Sequence, residues 1–122
     1  MVVPVTTNAE LKLNKGVAMG AFVTVSTTGV LVDAEGPDHN MRIHLKNLGA
    51  TTTQTAVIKK GNGLQGVADL EVELAPSAEM VVVVESGRFK NVSGDDKGKI
   101  LVMDKVTTNT QAIAVAATVI LA

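Results

Sequence analysis

The chain has 122 residues, a formal net charge of -1, 46% hydrophobic residues, two Phe, and no Tyr, Trp or Cys. That length suits one domain with a core of its own and argues against disorder. The near-neutral charge and scarce aromatics supply neither a basic field nor stacking platforms for nucleic acid or sugars, and the missing cysteines exclude disulfides and thiolate chemistry.

Val, Thr and Ile dominate, with Gly, Asn, Asp and Pro as punctuation, which is the composition of strands and turns. Residues 1–16 read as an extended, loosely packed N-terminal arm, and Pro4 confines Val2, Val3 and Val5 to an edge or an arm. The start, MVVPVTTNAE, lacks the basic segment of a signal peptide, which predicts synthesis in the cytoplasm. Residues 17–122 read as one β-domain.

Residues 21–26 alternate, Thr27, Thr28 and Gly29 turn the chain, and residues 30–32 form a second short strand. Residues 33–40 (DAEGPDHN) are a polar loop. Met41, Ile43 and Leu45 then share one strand face, with Arg42 and His44 on the other. Residues 56–60 form a strand that ends in Gly61-Asn62-Gly63, expected to be a tight turn with positive φ. Leu70, Val72 and Leu74 alternate with Asp69, Glu71 and Glu73, giving one buried and one wet face.

The run from Met80 to Val84 is apolar on both faces, which predicts a central strand covered on both sides. Glu85, Ser86 and Gly87 break it, and Arg88-Phe89-Lys90 is expected to resume the strand across a kink, with Phe89 in the core. A polar turn over residues 93–98 leads to a strand at 100–103, and residues 107–110 turn into the last strand, 113–121. That strand puts Ile113, Val115, Ala117 and Val119 on one face and the small residues Ala114, Ala116 and Thr118 on the other. The second face must pack closely under the chain or meet another subunit. The pattern predicts an all-β fold: a single β-sandwich or jelly-roll-like domain of about eight strands. The longest apolar stretch, 112–122, is too short to span a bilayer as a helix, so no membrane contact is expected.

Few side chains are placed for chemistry. Asp33, Glu35, Asp38 and His39 share one loop, and Asp95 and Asp96 another, with Asp104 further on, without the spacing of a calcium motif. They read as solvated turns, and no metal or cofactor is expected. His39 and His44 have no evident nucleophile and carboxylate partners, so no catalytic residue is assigned. The glycines at 61, 63 and 66 precede no helix, which argues against a phosphate loop, and Lys59 and Lys60 read as solvated charges. Arg88 has two readings: an ion pair with Glu85 across the bend, or a contact with another subunit.

From Val57 to Met103 the order of elements is a strand, a Lys-Gly-Asn-Gly turn, Gln65-Gly66, and a "G-DL" start (Gly66, Asp69, Leu70) to an alternating strand. A Val-rich strand follows, then the "ES-RF" bend (Glu85, Ser86, Arg88, Phe89), a Gly-Asp turn and a closing strand. This order resembles small structural proteins of tailed-phage virions, most of all capsid decoration (cement, or head-stabilising) proteins. The resemblance covers roughly the C-terminal half. It implies a non-enzymatic virion component that binds the outer surface of the head, stabilises the major capsid protein lattice and self-associates, often as a trimer. On that reading Val2, Val3, Pro4, Val5 and Arg88 are the candidate interface residues, the arm adding a strand to a neighbour. A tail- or fibre-associated module of the virion and a carbohydrate-binding β-sandwich are the alternatives, the latter weakened by the lack of Trp and Tyr.

Overall fold

A computed structural model of the chain describes residues 4–6, 8–12, 16–17, 22–33, 41–64, 66–95, 97–106 and 112–120. Nine strands lie among them: β1 (Ala9–Leu11), β2 (Val23–Thr24), β3 (Val30–Asp33), β4 (Met41–Asn47), β5 (Gln54–Ile58), β6 (Leu70–Leu74), β7 (Glu79–Val82), β8 (Lys99–Asp104) and β9 (Ile113–Ile120). They form two sheets, consistent with a β-sandwich. One is ordered β1-β9-β4-β7, with β2 also on β9; the other is ordered β3-β8-β5-β6.

The alternation in β4 explains the layering. Met41, Ile43, Leu45 and Asn47 are buried, while Arg42, His44 and Lys46 are half-buried on the outer face. Opposite residues of antiparallel strands share a face. Ile43 and Leu45 therefore face inward with Ala117 and Val115 of β9 on one side and with Val82 and Met80 of β7 on the other. From the second sheet Val30, Val32, Ile58, Leu74, Ile100 and Val102 complete one continuous core.

Residues 4–6 and 8–12 are paired into the sheets. The Leu31 N–H donates to the Pro4 carbonyl at 2.8 Å and the Thr6 N–H to the Leu31 carbonyl at 2.9 Å, extending β3 by a parallel bridge. β1 then runs parallel to β9, with Ala9 opposite Thr118, while β2 runs antiparallel to the same strand at Val115 and Ala114. The N-terminal segment thus lies on one edge of each sheet. The second face of β9 needs no other subunit, because Ala114, Ala116 and Thr118 are each 1% exposed within the chain.

Three local expectations are corrected. The run at 80–84 is not central: among the described residues β7 pairs only with β4, so it is an edge strand, and Met80, Val81 and Val83 are 44%, 55% and 51% exposed. An apolar run reports that both faces tolerate burial; whether a neighbour arrives to cover them is set elsewhere in the chain. Ser86–Phe89 is a single helical turn, not a resumed strand, closed by donation from the Arg88 and Phe89 N–H groups to the Glu85 carbonyl at 3.2 Å. Positive φ occurs at Gly29, Gly94, Gly98 and Ser77, but not at Gly61 or Gly63. Gly61 is required for a different reason: a Cβ there would clash with the Lys90 carbonyl oxygen.

Candidate functional site

The two sheet edges opposite the N-terminal segment, β6 and β7, are joined by the turn after Leu74 and define the open side of the sandwich. Buried Asn47 fixes their connection. Its Nδ2 donates to the carbonyls of Thr52 (2.8 Å), Leu74 (3.1 Å) and Ala75 (3.2 Å), and its Oδ1 accepts from the Gly49 N–H at 2.8 Å. The Ser77 N–H donates to the Gly49 carbonyl at 2.8 Å, which holds Ser77 at a φ of 60°. β7 therefore leaves a rigid corner.

Beyond β7 the chain is clamped as firmly. The Gly61 N–H donates to the Arg88 carbonyl at 2.9 Å, Asn62 Nδ2 donates to the Ser93 carbonyl at 3.0 Å, and the Val92 N–H donates to Asn62 Oδ1 at 2.8 Å. These bonds press the loop after β5 onto the helical turn. Phe89, 5% exposed, drops from that turn into the core. Arg88 stays exposed, its Cζ 5.4 Å from the Phe89 ring centroid.

The result is a shallow depression of about 220 Å³ lined by Asp69, Leu70, Val83, Val84, Glu85, Arg88 and Phe89. Leu64 and Val67 extend it, again against Glu85 and Arg88. Leu64 and Val67 are exposed, and so are Met80, Val81 and Val83 along the β7 edge. Val83, Leu64 and Val67 gather around Glu85 and Arg88, and apolar side chains held together in water are characteristic of surfaces that are covered in the working state. The guanidinium of Arg88 is the cation of this depression. Glu85 lines it as well, but no ion pair within 4.0 Å joins the two, so the local pair expected from the bend is not formed.

Three other charge pairs form among the described residues. Lys59 Nζ donates to Asp69 Oδ2 at 2.8 Å, and the Lys60 N–H donates to Asp69 Oδ1 at 2.8 Å. The hydrogen bond from Lys59, reinforced by that from the Lys60 backbone, holds the Asp69 carboxyl below the usual carboxylate range. Lys59 is thus tied to the end of β6 rather than simply solvated. Lys105 pairs with Glu71 at 3.0 Å and Lys46 with Glu79 at 3.5 Å, both exposed pairs that contribute little.

The residues singled out from sequence do not converge. Val2, Val3, His39 and the acidic loop after Asp33 lie outside the described residues. Pro4 and Val5 lie on β3, on the far side from Arg88. Asp104 is buried and accepts from the Val106 N–H at 3.0 Å. His44 lies on the outer face of β4 with Nε2 3.0 Å from Thr118 Oγ1. Burial, helped by the Arg42 charge and opposed by Glu79, pushes its pKa below the ordinary histidine value. Among the described residues no group of three or more His, Cys, Asp or Glu side chains could hold a metal ion. No helix there is long and apolar enough to cross a membrane. The residues missed from sequence are Met80, Val81 and Val83, which that reading buried, and Leu64 and Val67, whose place in a glycine-rich loop was their one signal. Comparisons with models of protein families, with curated proteins and with solved structures find no match for the chain.

Proposed function

We propose that this chain is a non-catalytic structural protein that works by burying surface: a decoration protein on the outside of a phage head, binding across neighbouring major capsid subunits. The observation that carries the reading is the collection of exposed apolar side chains, Leu64, Val67, Met80, Val81 and Val83, on the open side of the sandwich. The stretch resembling virion decoration proteins, residues 57–103, contains all five together with Arg88. A rigid corner at Asn47 and a clamped loop at Asn62 present them with little conformational freedom left to lose on binding. Repetition over a lattice lets a modest contact at each site hold a whole shell.

The test is to add the purified protein to expanded phage heads that lack it and to count bound copies. Saturation at a fixed number compatible with the head's symmetry, with heads that withstand more heat, is the expected result. Val67→Lys should lower the occupancy while leaving the circular dichroism spectrum unchanged. Heads that bind no protein at saturating concentration would overturn the assignment.

A further inference from the structure

The sandwich treats its edges unequally. β3 is extended by residues 4–6, and β9 is covered along its outer edge by β1 and β2. β6 is open but carries Glu71 and Glu73, both exposed, which is how edges are commonly guarded against strand addition. Among the described residues β7 alone is open and unguarded, with no charge between Glu79 and Glu85.

The hydrogen-bond pattern shows which groups are on offer. The Asn47 N–H donates to the Ala78 carbonyl at 2.9 Å, so 47 and 78 are a hydrogen-bonded pair of the antiparallel β4–β7 ladder. Bonded and non-bonded pairs alternate. The backbone groups of Met80 and Val82 therefore turn toward β4, and those of Glu79, Val81 and Val83 turn outward to the free edge. On the side-chain side, Glu79 and Val81 share the outer face of the sheet with Lys46 and His44, and exposed Val83 beside buried Val84 carries the alternation one residue past the end of β7.

We propose that the free edge of β7 pairs with β7 of a second copy of this chain, antiparallel about a two-fold axis at Val81, so that Val81 meets Val81 and Glu79 meets Val83. Charge selects this register. Shifting by one pair toward the C-terminus sets Glu79 directly opposite Glu85, twice by symmetry, which is repulsive. Shifting the other way runs the ladder into Ser77, whose φ of 60° is not that of a strand. In the register centred on Val81 no like charges face each other. The apolar centre of Met80, Val81 and Val83 is closed, and each Glu79 keeps Lys46 as its own partner at 3.5 Å. The Glu79 carboxylate of one copy also arrives opposite Val83 of the other, at the rim of the depression that Arg88 lines. Two five-stranded sheets thereby join into one, while Leu64 and Val67 stay free. The dimer covers Met80, Val81 and Val83 and leaves Leu64 and Val67 as the face free to meet a capsid; cross-linking of the free chain tests the dimer, and occupancy of heads by Val67→Lys tests the capsid reading.

The chain has no cysteine, so a single introduced thiol is a clean probe of the register. Two residues facing across an antiparallel pair lie within disulfide range. Sedimentation equilibrium of the full chain should show a dimer, and Val81→Lys should abolish it with an unchanged circular dichroism spectrum. Under mild oxidation Val81→Cys should form a reducible covalent dimer, whereas Val67→Cys, exposed but off the edge, should not. Should Val81→Lys fail to fold, the cysteine pair alone decides. A wild-type monomer at every concentration, a trimer, or cross-linking of Val67→Cys as fast as that of Val81→Cys would overturn the pairing.

Discussion

Phe89 shows how a single side chain reports on its neighbourhood. It follows the exposed Arg88 in a one-turn helix and is nevertheless 5% exposed, packed into the same core as Val84 and Leu74. Truncation to Ala removes a large buried ring and leaves a cavity, so Phe89→Ala should destabilise by about 3–5 kcal/mol in chemical denaturation. A change near zero would place the ring on the surface. His44 makes the second residue-scale prediction. Its folded pKa lies below its unfolded value of 6.5, so the folded state binds the proton less readily. Above that pH the group is neutral in both states and its hydrogen-bonded environment is intact. As pH falls through 6.5 toward the depressed folded value, stability is lost. The thermal midpoint should therefore drop between about pH 7 and 5, and His44→Gln should flatten that drop. An equal drop in the variant would assign it to other groups. Asp69, also depressed, loses its contribution only in the more acidic carboxylate range, which separates the two effects.

At the scale of the element, local pattern was a good guide wherever a strand has one wet face. β4 alternates in sequence and in burial alike, and so does β6, with Glu71 and Glu73 outward. Pattern misled where it was uniform. β7 and β9 are both apolar on both faces in sequence; β9 is buried throughout its described side chains and β7 is an exposed edge. The difference lies in partners: among the described residues β9 has β4 on one side and β1 with β2 on the other, while β7 has β4 alone. The N-terminal segment is the other surprise of this scale. A stretch with weak periodicity supplies pairing to both sheets, and Thr6 and Ala9 are buried there. Deleting residues 1–12 should cost about 2 kcal/mol or more, at roughly 1 kcal/mol for each hydrogen bond made to Leu31. Differential scanning calorimetry checks this. An unchanged midpoint would show the segment to be detachable and return it to the role of an arm for neighbouring subunits.

At the scale of the molecule, composition was enough for the class of fold. A Val-, Thr- and Ile-rich chain punctuated by glycine, without a convincing amphipathic helix, has strands as its economical solution, and two face-to-face sheets bury their alternating faces. Much of the core was legible the same way: Met41, Ile43, Leu45, Leu74, Val115 and Phe89 all lie where their spacing or size implies. The open side was not legible. Which of two equally apolar strands is an edge, and which loop carries Leu64 and Val67 out beside Arg88, depends on strand order, and strand order is settled by contacts between residues far apart in sequence. Periodicity records how a residue stands relative to its immediate neighbours. Coverage is a property of what arrives from elsewhere in the chain. The sequence alone therefore determined that this protein is a sandwich with an apolar interior, and only the tertiary structure decided where its apolar surface stays open.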